Sequence, residues 1–158
     1  MVPDVQLMYN YEYASRLYRG TGIFEDVWRS TIGLGTNFEK VFDEFLPLIL
    51  EAIPRFTGVS WDGYAEPNFP VYLAPVETSF PHPLTLAVGE DPEAMLDDLI
   101  VQLAHRNMYF GFPSDEVRDQ SLRQVADHVL ADLRVRPLSN PAWDLRSQTV
   151  RARLHRPS

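Results

Sequence analysis

The feature that most constrains this chain is the run "TNFEKVFDEFLPLILEAIPRFTG", residues 36–58. Phe38, Val41, Phe42, Phe45, Leu46, Ile49, Leu50 and Ile53 recur three and four residues apart. That spacing gathers side chains on one helical face, and a stripe so apolar needs a second layer to cover it. Thr36 with Glu39 three residues on has the form of a capping box, which predicts that the helix starts there. Pro47 predicts a kink and not an end, because the stripe continues beyond it.

The segments on either side of this run supply the other layer. "VQLMYNYEY" alternates Val5, Leu7 and Tyr9 against Gln6, Met8 and Asn10, a strand pattern. Between it and the long stripe, Phe24 to Arg29 has the look of a short helix, and the Gly20/Gly22 and Gly33/Gly35 pairs read as turns. Residues 57–83 are rich in Pro and Gly and hold short strands, the clearest being "VYLAPV" (71–76), with "LTLAV" (84–88) after it. Asp91 then caps a second helix with Pro92 in its first turn, ended by Gly111 and Pro113. Ser114 caps a third, with Asp115 and Glu116 where the helix dipole favours acids. The expectation is an α+β fold: a small, mostly antiparallel sheet packed with three main helices, the second lying along it.

Length and charge bound the function classes. The chain has 158 residues, enough for one continuous core, placed at residues 1–136 with a basic tail at 137–158. There are no cysteines, which removes disulfides, thiolate metal sites and cysteine nucleophiles together. No apolar run nears the roughly 20 residues of a membrane span, and the N-terminus lacks a leader pattern. A cytoplasmic protein without membrane contact is expected. From Arg134 onward six arginines against Asp144 give +5, so the total of −8 leaves −13 on the preceding residues. An acidic body argues against nucleic acid as a partner, since phosphate binding needs a basic face. The tail either folds back onto that body or serves as a binding arm.

The second helix carries the chemistry worth weighing. At about 100° per residue, Leu96, Leu99, Ile100 and Leu103 share one side and must meet the core. Val101 and His105 point almost the opposite way, flanked by Met108, with Asp98 and Gln102 turning toward the edge. The sequence "VQLAH" at 101–105 is one pattern away from H-E-x-x-H. With its surroundings, "VYLAPVETSFPHPLTLAVGEDPEAMLDDLIVQLAHRNMYFG" (71–111), it resembles the core of zincin-like, H-E-x-x-H metallopeptidase-type domains. In those an edge strand and loop precede an acid-capped helix bearing a motif such as L-I-H-E-L-A-H.

The resemblance implies a loss. The first zinc-ligand position holds Val101, which has no lone pair, and the general-base position holds Gln102, which has no carboxylate. Only His105 is retained, in the second ligand position. A third ligand would come from a later helix, but the inward stripe of the third helix is Leu122, Val125, Val129 and Leu133. The implied protein has no catalytic residues, metal or cofactor, and acts as a binding or structural module for a protein or peptide. Val101, Gln102 and His105 mark the remnant. The alternative is a hydrolase with an altered metal or catalytic site around His105, drawing on His82, Asp98, Asp119 or His128. The plain reading is a histidine at a helix surface or under a loop. Asp97/Asp98 and Asp115/Glu116 read as solvated or dipole-pairing acids. No Gly-x-Ser-x-Gly elbow is present.

Overall fold

The computed structural model describes residues 2–63, 68–108 and 111–133. The basic tail expected at 137–158 lies outside the described residues. The elements run β1 (Asp4–Met8), α1 (Tyr11–Leu17), α2 (Phe24–Thr57), a 3-10 turn (Trp61–Gly63), β2 (Asn68–Ala74), β3 (Phe80–Pro81), β4 (Leu84–Ala87), α3 (Pro92–Asn107) and α4 (Asp115–Leu133). The fold is α+β, with three main helices and a short fourth.

The four-stranded sheet is mixed, in the order β1-β2-β4-β3, and not mostly antiparallel. β1 pairs with β2, and β2 with β4, in parallel; only the β3–β4 pair is antiparallel. Parallel neighbours need a connection that returns the chain to its starting end. α1 and α2 supply it between β1 and β2, and β3 supplies it between β2 and β4. The alternation of side chains along a strand is the same in both pairings, so the sequence pattern does not distinguish them.

α2 is a single helix of 34 residues, about 51 Å long at 1.5 Å per residue. The predicted start at Thr36 and the predicted turn at Gly33/Gly35 are both absorbed into it. Thr36 does not cap; its hydroxyl donates back to the Ile32 carbonyl at 2.8 Å, within the helix. The N-terminal part is held by aromatic contacts to α1, Phe24 lying 5.1 Å from Tyr11 and 5.4 Å from Tyr18 between ring centres. Gly35 is buried where the helix crosses the sheet: a Cβ there would sit 2.7 Å from the Tyr9 hydroxyl and 2.8 Å from a Leu73 methyl. Glycine serves close packing at that position, not a turn.

Two prolines sit inside α2 without ending it. Pro47 is exposed, so the carbonyl it leaves unbonded, that of Asp43, faces water. Pro54 deprives Leu50 of its helical partner, and the buried Trp61 indole replaces it, donating to the Leu50 carbonyl at 2.8 Å. The helix ends at Gly58, whose φ of 74° suits glycine. Beyond it, Thr57 donates to Asn107 Oδ1 at 2.7 Å and Asn107 Nδ2 donates to the Val59 carbonyl at 3.0 Å. This clasp ties the C-terminal ends of α2 and α3 and satisfies the buried Asn107 side chain.

The core lies between one sheet face and the three long helices. Val5, Val71, Leu73, Leu84 and Leu86 face it from the sheet, and Phe38, Phe42, Phe45, Ile49 and Ile53 from α2. α4 adds Leu122, Val125, Val129 and Leu133, the stripe expected from the sequence, together with Ala126. The other sheet face holds the Tyr72–Thr85 pair, over which α1 lies: Tyr13 reaches Thr85 Oγ1 at 2.7 Å and the Tyr72 ring at 4.7 Å. β1 is shorter than its alternation suggested, because the Asn10 side chain caps α1 by accepting from the Tyr13 amide. No helix among the described residues is long and apolar enough to cross a membrane.

Candidate functional site

α3 begins as the sequence predicts, with the Asp91 carboxylate accepting from the Glu93 amide at 3.0 Å and Pro92 in the first turn. Leu96, Leu99, Ile100 and Leu103 are all fully buried. With that side fixed in the core, Asp98, Gln102 and Arg106 succeed one another four residues apart along the outer edge. They form a ridge of about 12 Å at the helical rise.

The hairpin segment Ser79–Pro83, the strap, lies along this ridge and is pinned at both ends. At one end the Ser79 hydroxyl donates to Asp98 Oδ2 at 2.8 Å while accepting from the Ala87 amide at 2.9 Å. At the other, Arg106 Nη1 donates to His82 Nδ1 at 2.9 Å and approaches the Pro81 carbonyl at 3.4 Å. Gln102 sits midway between the pins. Its Oε1 is buried and has no hydrogen-bond partner among the described residues. Val101, in the first-ligand position of the zincin-like pattern, packs against the apolar core.

His105 lies beside the strap, between it and the start of α4. Its ring centre is 6.2 Å from that of His82 and 6.1 Å from that of Phe112. Burial, then the Arg118 guanidinium and His82, lower its pKa below the usual imidazole value of 6.5, against an opposing pull from Asp119. The imidazole is therefore neutral near pH 7. Asp98 is raised, chiefly by burial and also by neighbouring Asp97, while Ser79 and Arg123 pull it down. It is not the solvated acid its sequence context suggested. Asp97 is the outward member of that pair and accepts from Arg123 Nη1 at 2.9 Å.

The fold sets Asp98 and Gln102 on one ridge and brings His105 beside His82 at its far end, with Asp119 near enough to His105 to act electrostatically. It does not bring His128, which stacks on Phe56 of α2 at 5.2 Å. Asp119 is exposed and paired with Arg118 at 3.0 Å. Among the described residues no group of three or more His, Asp or Glu converges. Ser79 has its proton committed to Asp98, and Arg106 is a donor only, so His82 must keep its own proton on Nε2. What the arrangement does chemically is hold a hairpin over a helix face and a neutral imidazole beside it.

Sequence reasoning passed over Ser79, Arg106, Phe112 and Arg118. The i, i+4, i+8 spacing of Asp98, Gln102 and Arg106 was the available signal for the ridge, since such residues stack on one helical edge. An open groove of about 320 Å³ lies at the opposite edge of the sheet, lined by Asp4, Gln6, Met8, Asn68 and Pro70. None of the predicted site residues reaches it. These features define an α+β chain whose candidate site is a strap-covered helix ridge. No known protein family, curated protein or solved structure matches the chain.

Proposed function

We propose that the chain is a zincin-like domain without peptidase chemistry, working as a binding or structural module for a protein or peptide through the outer side of α3. The observation that carries this reading is the state of positions 101 and 102. Val101 is drawn into the apolar packing and Gln102 Oε1 lies buried without a donor, where a metallopeptidase needs a ligand and a base facing a metal-bound water. The order of elements along the chain, strand, His82 loop, strand and Asp91-capped helix, is the one the resemblance rests on, although β2 lies inside the sheet and not at its edge. The charge of −13 before residue 134 favours a protein or peptide over nucleic acid. No metal or cofactor is required by this reading, and a cytoplasmic setting remains part of it.

One observation favours the alternative, a hydrolase with an altered site: a neutral His105 stands 6.2 Å from His82, ring centre to ring centre. Zinc separates the two. Elemental analysis after dialysis should find no stoichiometric metal in the native chain. Calorimetric titration near pH 7.5 should show zinc binding only in the Val101→His, Gln102→Glu double variant. A tightly held metal in the native chain would overturn the noncatalytic reading. A folded double variant that binds no zinc would overturn the zincin-like one.

A further inference from the structure

The two pins of the strap differ in kind. Ser79 and Asp98 can remain bonded whether or not the carboxyl carries a proton, because a carboxylic acid keeps an acceptor oxygen. The Arg106–His82 bond has no such latitude, and it is the shorter tie at that end, the same Nη1 reaching the Pro81 carbonyl only at 3.4 Å. A guanidinium only donates, so the bond exists only while His82 Nδ1 offers a lone pair. A protonated His82 has none, and becomes a second cation beside the guanidinium. His82 is exposed, so protons reach it from bulk solvent.

We propose that the strap Ser79–Pro83 is an acid-released cover over the α3 ridge, closed while His82 is neutral and lifting at the His82 end when that imidazole takes up a proton. The inference rests on the reading of this ridge as the binding face and supplies its regulation. The groups facing His82 are Arg106 and His105 of α3; those facing His105 from α4 are Arg118 and Asp119. Asp98, at the retained pin, faces Asp97 on α3 and Arg123 on α4.

Two further features act in the same direction. Gln102 Oε1 lacks a donor while the strap is down and gains water or a partner's N–H when it lifts, so the closed state carries a cost the open state does not. Protonation of His105 is opposed in the closed state by burial, Arg118 and His82, and the first and last of these are relieved by opening. The ridge that opens presents the Gln102 amide beside the His105 imidazole.

The chain has no cysteine, so Gln102→Cys places a single thiol beneath the strap. Its reaction with a pyridyl disulfide would be followed at pH 7.5 and 5.5, each rate divided by that of an unstructured cysteine peptide at the same pH. The ratio should rise about tenfold or more at pH 5.5, the size expected for losing one charge-assisted hydrogen bond. Adding His82→Gln should keep it low at both pH values, because an amide oxygen accepts from Arg106 regardless of pH. Equal ratios in the His82 protein, or the same rise in His82→Gln, would overturn the proposal. Should Gln102→Cys not fold, hydrogen exchange over residues 80–85, where β3 pairs with β4, replaces it. Corrected for intrinsic rates, protection there should fall at pH 5.5 in the native chain and not in His82→Gln; unchanged protection overturns the strap. With these rates taken on chelator-treated protein, metal retention in the native chain would sink the proposed function alone, and flat rates would sink the strap without touching that reading.

Discussion

Gln102→Met tests the unpartnered oxygen directly. In the native chain a carbonyl oxygen is removed from water and meets no donor among the described residues. Leaving a buried polar group unsatisfied costs about 1–3 kcal/mol, and replacing it by an apolar group of similar shape recovers that cost. The Gln102 side chain is only partly buried as a whole, so the lower end applies, a gain of about 1 kcal/mol. Methionine is unbranched and of similar length, so it can take the same path under the strap. Urea unfolding monitored by tryptophan fluorescence would read the change. With a slope of about 2 kcal/mol per M, the midpoint should rise by about 0.5 M with the slope unchanged. A loss of about 1 kcal/mol or more would refute the reasoning. It would mean that a donor reaches Oε1 in the folded protein and that Gln102 is part of a satisfied network.

Gly33→Ala and Gly35→Ala separate helix from turn. Nothing lies within 4 Å of a Cβ at Gly33, so that change should stabilise by about 1 kcal/mol through helix propensity, while Gly35→Ala should destabilise by about 1–2 kcal/mol as Tyr9 and Leu73 are displaced; thermal unfolding measures both. Trp61→Phe should cost about 1–3 kcal/mol by orphaning the Leu50 carbonyl, and Pro54→Ala, which restores a helical N–H, should cost less in that background than in the native one. Simple additivity in this double-mutant cycle would show that the indole does not substitute for the missing amide.

α3 and α4 were legible from their sequence because helical periodicity is local. The Asp91 and Ser114 caps, the buried side of α3 and the stripe of α4 arise from residues within a few turns of one another. The cores of β2 and β4 were legible for the same reason.

What tertiary structure decided depends on pairs distant in sequence. The capping box at Thr36 is a local preference of about 1 kcal/mol. It yielded to one continuous α2 once the Tyr11 and Tyr18 rings met Phe24, and Gly35 could pass close to Tyr9 and Leu73. Strand direction was likewise undetermined by alternation, since period two fits parallel and antiparallel partners equally. The α3 ridge shows the same division. Sequence placed Val101 and His105 opposite the core and Asp98 and Gln102 at the edge; in the fold Val101 instead packs against the core, because neighbouring elements close over that side of α3. Only the fold laid Ser79 and His82, respectively 19 and 24 residues before the Asp98 and Arg106 they bond, along the Asp98–Gln102–Arg106 ridge. The physical reason is that helix faces are set by backbone geometry within one segment, whereas the cover over a face is set by where the chain returns.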